Sequence, residues 1–226
     1  MPDATTRFER SERKARGESP IATEVRDGLR RREKRLPAWL FYDDAGSRLY
    51  EEITRLPEYY PTRAERSIFL EHADAIVTHV RGAEGATVRI AELGAGTATK
   101  SQIIARAFAR AQGSVTYLAT DVSPAPLEEA RARFAREEPG VDLRVLAGRH
   151  GAALEAVRAL PARRLVLFIG SSIGNYEDEE ARVFVRAVRA SVDAGDALLL
   201  GTDLRKSLDV LLPAYDDARG VTAAFK

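Results

Sequence analysis

The chain has 226 residues, 45% of them hydrophobic, enough to bury the core of one α/β domain with an N-terminal addition but not of two full domains. With 35 basic and 34 acidic side chains the formal charge is +1, so no global field draws the chain to nucleic acid or to an anionic membrane, and a small-molecule ligand is expected. Cysteine is absent, which excludes disulfides, thiolate metal sites and a cysteine nucleophile. No apolar run approaches the roughly 20 residues of a membrane-spanning helix and no secretory h-region opens the chain, so a cytoplasmic location is expected.

Residues 1–35 are strongly charged and too poor in apolar side chains for a core of their own. They predict a mobile tail followed by one docked helix over residues 21–34. Acidic residues interleave the basic run RREKR and aromatics are missing, which favours a solvated helix face over a nucleic-acid contact. The composition then shifts. Trp39, Phe41, Tyr42, Tyr50, Tyr59 and Tyr60 gather between residues 36 and 63, together with Pro37, Pro57 and Pro61. Such a cluster suits a lid over a small-molecule pocket, and it equally suits rings that glue the N-terminal segment to a sheet. We divide the chain into a charged N-terminal part (1–35), an aromatic substrate-lid segment (36–80) and a ligand-binding α/β domain (81–226).

Beyond residue 62 strands and helices alternate, the pattern of a parallel sheet with helices on both faces. Five strands are expected, at residues 88–93, 115–120, 143–147, 165–169 and 197–201, each short, apolar and bounded by turn residues. Between them lie helices with an apolar stripe, such as Ile104, Ala107, Phe108 and Ala111, or Phe184, Ala187, Val188 and Val192. Ser123 and Pro124 supply an N-cap and an N1 proline for the helix carrying Leu127, Ala130 and Phe134. The four acids Glu177, Asp178, Glu179 and Glu180 open another helix, where they complement its dipole.

Chemistry concentrates at the strand ends. The first strand runs into Glu92-Leu93-Gly94-Ala95-Gly96, a glycine turn that opens a helix, which is how an open α/β sheet makes a nucleotide pocket. Glu92 is expected near that crevice. Thr99 stands where the dinucleotide fingerprint needs its third glycine, so the loop reads as E-x-G-x-G, common in S-adenosylmethionine-dependent methyltransferases, more than as an NAD or FAD site. Asp121, ending the second strand, offers a carboxylate to two vicinal ribose hydroxyls. Lys100 is placed either to meet a ligand carboxylate or to lie solvated on its helix. The fourth strand opens into Gly170-Ser171-Ser172-Ile173-Gly174-Asn175, whose Asn175 suits a ligand contact or the N-cap of the acidic helix. No Ser-His-Asp arrangement is present. Nor do the histidines suggest a metal site, since His72 and His79 are about 10.5 Å apart along a helix; His72, His79 and His150 read as ordinary surface or core residues.

Five segments together resemble the histidine Nα-methyltransferases of ergothioneine biosynthesis: RLPEYYPTRAE, ELGAGTATK, IGSSIGN, LLLGTDL and AYDDARGVTAAF, in that order along the chain. The resemblance implies a class I methyltransferase fold, Rossmann-like, that uses S-adenosylmethionine to methylate the α-amine of histidine three times, giving hercynine. It implies a catalytic lid tyrosine at Tyr42 and substrate contacts from Tyr59, Gly170, Asn175 and Tyr215; beside these, cofactor contacts are expected from Glu92, Gly94, Gly96, Lys100, Asp121 and Gly148. A zwitterionic amino acid would offer its carboxylate to the Asn175 amide and the Tyr59 and Tyr215 hydroxyls, with Tyr42 orienting the amine or helping its proton leave. Where the family carries G-D-F after the third strand, this chain has Gly148-Arg149-His150, and a guanidinium cannot accept a hydrogen bond from adenine.

The chain ends soon after Asp203, inside the region from which class I methyltransferases build their last strands. We therefore expect the final strands to be missing, the fifth strand to expose an unpaired edge and an apolar face, and a monomer or a pairing with a missing C-terminal part. Methylation of another amino acid or amine, and an inactive remnant that only binds cofactor or a partner, are the alternative functions.

Overall fold

The computed structural model describes residues 19–226. The chain divides into two compact units, one ending at Phe41 and the other running Tyr42–Lys226. The tail expected at the start of the chain lies outside the described residues.

In the first unit, helix α1 (Pro20–Arg30) is shorter than the expected helix, which was to run to Lys34. Arg31 turns extended (ψ 153°), and the Arg35 amide folds back onto the Gly28 carbonyl at 3.2 Å, so backbone groups that would prolong the helix are used to end it. A 3₁₀ turn, Ala38–Phe41, follows, and the Trp39 indole N–H donates to Glu24 at 3.1 Å.

The second unit runs α2 (Asp44–Ile53), α3 (Tyr60–Arg81), β1 (Val88–Leu93), α4 (Ser101–Gln112), β2 (Val115–Asp121), α5 (Pro124–Glu137), β3 (Val141–Ala147), α6 (His150–Ala159), β4 (Arg163–Phe168), α7 (Asp178–Arg189), β5 (Ala197–Leu200), α8 (Leu208–Tyr215) and α9 (Val221–Phe225). All five expected strands are present, with ends moved by a residue or two. They form one parallel sheet in the order β3-β2-β1-β4-β5, with Ile90 of β1 opposite Tyr117 of β2 and Leu165 of β4. The central strands β1, β2 and β4 are buried along nearly their whole length, which is why they read as apolar runs without alternation.

Strand pleat sorts the core into two layers. Ile90, Tyr117 and Leu165 face the layer holding Ile104, Phe108 and Phe134 of α4 and α5. Ala91, Leu93, Val166 and Phe168 face the other, with Leu154, Val157, Phe184 and Val188 of α6 and α7. At about 1.5–3 kcal/mol for each large side chain fully buried, these two layers supply most of the drive to fold. A third, smaller cluster joins Ile53, Leu56 and Tyr59 to Ala214 and Val221, bringing the end of the chain to the aromatic segment.

As expected, β5 lies at a sheet edge and leaves Leu198 and Leu200 exposed, and Leu204, Leu208 and Leu212 beyond it are more exposed still. Among the described residues no helix is long and apolar enough to cross a membrane. Strand order reverses between β1 and β4, so the loops after β1, β2 and β4 open at the switch point where open α/β sheets hold ligands.

Candidate functional site

The glycine turn after β1 is held from below by β2. The amides of Gly94 and Ala95 donate to the Thr120 carbonyl at 2.9 and 2.8 Å, and the Gly96 amide donates to Asp121 Oδ2 at 2.8 Å. The second carboxylate oxygen of Asp121 takes the Ser123 amide at 3.0 Å. Burial pushes the Asp121 carboxyl above its ordinary range, opposed by those amides. Gly94 and Gly96 both have positive φ (78° and 52°), and a Cβ built on either would meet nothing within 4 Å. The turn thus needs glycine for its backbone angles and faces open space, with an acceptor carboxylate at its floor. Those features fit a nucleoside whose ribose hydroxyls donate to Asp121. Gly148 joins them, its amide donating to the Asp121 carbonyl at 2.8 Å.

Glu92 departs from expectation. Its position on β1 shares the pleat parity of Ile90, so its side chain enters the α4/α5 layer instead of the crevice. There it is 2% exposed and accepts the Tyr117 hydroxyl, which is 2.7 Å from the Ser101 hydroxyl. Burial raises its carboxyl to about 7, against these hydrogen bonds. Glu92 braces the loop from behind and touches no open surface.

Lys100 is neither solvated nor free for a ligand alone: its ammonium pairs with Glu65 on the second turn of α3. The same carboxylate accepts the Gly170 amide. Glu65 closes the EYYPTRAE motif, but its contacts lie 35 and 105 residues away and leave no local signature. Arg63 of that motif is the staple of its turn, donating to the carbonyls of Leu56 and Tyr59 at 2.9 and 3.2 Å and to that of Pro57.

The aromatic segment forms a chain of edge-on rings. Tyr42 lies 5.6 Å from Tyr50 and 5.4 Å from Phe225, Tyr50 lies 6.4 Å from Tyr59, and Tyr59 lies 5.9 Å from Tyr215. Tyr42 is set by its neighbour Asp43, which caps α2 by accepting the Gly46 amide at 2.8 Å. Burial holds the Tyr42 phenol above its ordinary range, opposed by the nearby Asn175 side chain, which lowers it. Tyr59 is pushed up to about 12, again chiefly by burial, and Tyr215 is raised for the same reason.

Asn175 ends a 3₁₀ turn, Ser172–Asn175, so the N-cap of α7 is Glu177, which forms a capping box with Glu180. Ser123 does occupy the N-cap position of α5, but its hydroxyl donates to Asp44 Oδ1 at 2.9 Å and does not cap. An open groove of about 510 Å³ runs beside these contacts, lined by Tyr42, Asp44, Arg48, Val122 and Ser123 among others. Tyr42 therefore stands between the β2 end, where Asp121 meets the glycine turn, and the tyrosine cluster.

The family model described as histidine-specific methyltransferase, SAM-dependent, matches residues 21–226. The chain belongs to that family. The histidine N-alpha-methyltransferase of Mycolicibacterium smegmatis is 40% identical over 205 residues, covering 91% of this chain and 62% of the relative. That of Mycobacterium tuberculosis is 37% identical over 212 residues, covering 92% and 63%. The chain thus spans rather less than two thirds of the curated relatives it matches. In fold it is similar to the plantazolicin methyltransferase BpumL, solved in complex with SAH, with a TM-score of 0.52 over 92% of this chain and 72% of that one, at 11% identity.

In this member of the family, the motifs behind the resemblance serve two purposes. Some bring side chains to the site. Others tie it together: the Tyr60 hydroxyl donates to Asp203 of the GTDL segment, and Asp217 of the AYDD segment accepts the Val221 and Thr222 amides at 3.0 and 2.7 Å to start α9. His150 turns away from the site into the rings of Phe168, Phe184 and Tyr176, a core histidine with Nδ1 at 2.9 Å from the Tyr176 hydroxyl.

Proposed function

We propose that the chain holds S-adenosylmethionine against the glycine turn and methylates the α-amine of L-histidine, in up to three successive transfers. The observation that carries this reading is the glycine turn with the Asp121 carboxylate at its floor, beside a groove lined by Tyr42, Val122 and Ser123: a nucleoside cradle next to the lid tyrosine.

When bound, the cofactor supplies an electrophilic methyl group on a sulfonium, so this chain's residues need only bind, orient and exclude water. Asp121 accepts the ribose hydroxyls, the open faces of Gly94 and Gly96 admit the ligand close to the backbone, and Lys100 offers its ammonium to the cofactor's carboxylate. The Asn175 amide and the phenols of Tyr59 and Tyr215 donate to the amino acid's carboxylate. Because burial holds the Tyr42 phenol protonated at neutral pH, Tyr42 acts as an oriented hydrogen-bond acceptor for the amine N–H and not as a phenolate base. The tyrosine cluster lowers the local dielectric, which favours the neutral amine over the ammonium and frees its lone pair. Arg149 removes the acidic adenine contact that the resemblance implied, which leaves that recognition to backbone groups near Gly148. The exposed leucines of β5 and α8 support a pairing of this face with further polypeptide.

Calorimetric titration of L-histidine into the chain saturated with S-adenosylhomocysteine tests the acceptor. Binding that is lost in Asn175→Ala, while cofactor affinity is kept, is expected. Absence of histidine binding beside normal cofactor binding points to a different acceptor or to a remnant that binds cofactor alone.

A further inference from the structure

Glu65 was assigned to neither ligand, yet both halves of the site meet on its carboxylate. Its side chain is 13% exposed and that of Lys100 is 19% exposed. One carboxylate oxygen takes the Gly170 amide at 2.8 Å, and the other pairs with the Lys100 ammonium while lying 3.1 Å from the same amide. The slot is built for it. A Cβ at Gly201 would stand 2.2 Å from Glu65 Oε1, so the carboxylate fills the space that a side chain after β5 would otherwise take. The turn that presents Glu65 is in turn fixed by Arg63 on three carbonyls and by Tyr60 on Asp203.

Lys100 stands at the N-cap of α4, at the end of the cofactor turn, and Gly170 opens the loop that ends in Asn175. One carboxylate therefore sets the distance between the element that carries the methyl donor and the element that carries the acceptor. We infer that Glu65 is a positioning residue for methyl transfer, acting through Lys100 and Gly170 and touching neither ligand; this rests on the histidine reading above. A lysine ammonium has three donors, so the Glu65 pair leaves two for the cofactor's carboxylate while stopping the side chain from swinging across the site. In-line transfer depends steeply on such alignment: about 1 Å of misplacement costs roughly 100-fold in rate.

A structural brace and a positioning residue differ in what their loss moves. Glu65→Ala removes both contacts, whereas Glu65→Gln keeps an oxygen for the Gly170 amide and gives up only the ion pair. We expect Glu65→Ala to lower kcat by about 100-fold with S-adenosylhomocysteine affinity unchanged, and Glu65→Gln to recover a large part of that loss. Gly201→Ala, whose Cβ would meet Glu65 Oε1 at 2.2 Å and the Ile169 and Gly170 backbone at 3.0 and 3.2 Å, should lower kcat as well. Hydrogen exchange at the Gly170 amide gives a readout free of turnover, slow in wild type and Glu65→Gln and fast in Glu65→Ala. Wild-type kcat in folded Glu65→Ala, equal losses in the Ala and Gln variants, or a fall in cofactor affinity matching the fall in kcat would each overturn the proposal. If Glu65→Ala does not fold, Glu65→Leu, which removes both contacts while filling the slot, decides the question by the same measures. If wild type binds cofactor yet transfers no methyl to histidine, the histidine reading fails on its own; Gly170 exchange across the variants then judges Glu65 separately.

Discussion

Glu92 and His150 make opposite demands on the fold as pH changes, and removing either should uncover the other. Glu92 has its carboxyl raised to about 7 by burial, from an ordinary 4.5, so folding takes up a proton between those values. Its contribution to stability is complete below about pH 4.5 and is lost as pH rises towards 7. His150 is lowered from 6.5 to about 4, first by burial among rings and then by the Arg149 charge, so the fold accepts only its neutral form. That contribution is present above about pH 6.5 and is lost as pH falls towards 4.

Each displacement corresponds to about 3 kcal/mol, with that of His150 somewhat the smaller because its ring is partly exposed. Near pH 6 the two slopes are each about 1 kcal/mol per pH unit and of opposite sign. Urea denaturation of wild type between pH 5 and 7 should therefore give a nearly flat stability. Glu92→Gln should become steadily more stable as pH rises across that window, and His150→Phe, which keeps a ring against Phe168 and Phe184, should become steadily less so. A flat profile for Glu92→Gln would refute the assignment of a neutral, buried histidine, and a flat profile for His150→Phe would refute that of a carboxyl protonated by burial.

Three substitutions address the site itself. Tyr42→Phe removes the buried phenol oxygen and should slow methyl transfer severalfold while calorimetry finds S-adenosylhomocysteine affinity nearly unchanged; equal loss of both would remove Tyr42 from its orienting role. Gly96→Ala forces an alanine to φ 52° at a cost of about 1 kcal/mol or more and crowds the open face of the turn, so cofactor affinity should drop by tenfold or more with little change in the other core contacts. Asp121→Asn leaves either the Gly96 or the Ser123 amide facing an NH₂ group and weakens ribose recognition, for an expected loss of about 1–3 kcal/mol in cofactor binding; unaltered binding would place the ribose elsewhere.

What was legible in the sequence follows the range of the forces involved. Buried parallel strands demand unbroken apolar runs, so β1, β2 and β4 stand out, and a glycine turn after β1 marks its own bend. Strand parity was equally available, and applying it to Ile90 and Glu92 would have sent Glu92 to the α4/α5 layer beside Tyr117. Glu65 was hidden for a different reason: it binds Gly170 across 105 residues, and nothing near it in the chain announces that partner. Lys100 looked like a ligand contact or a solvated residue because its ion pair is equally remote. The end of α1 depended on a backbone contact from Arg35 to Gly28, which residue types alone do not reveal. Tyr42, Tyr59 and Tyr215 became site candidates only through family motifs; periodicity alone gave only a cluster of rings whose purpose stayed open.

The central claim is that the cradle at Asp121 and the lid tyrosine Tyr42 beside it together form a site for methylating histidine. Incubating the chain with S-adenosylmethionine and L-histidine, and following histidine by mass spectrometry, tests it most directly. The account requires singly, doubly and triply methylated histidine to appear in sequence. A chain that binds S-adenosylhomocysteine yet leaves histidine unmethylated at high enzyme concentration would contradict it.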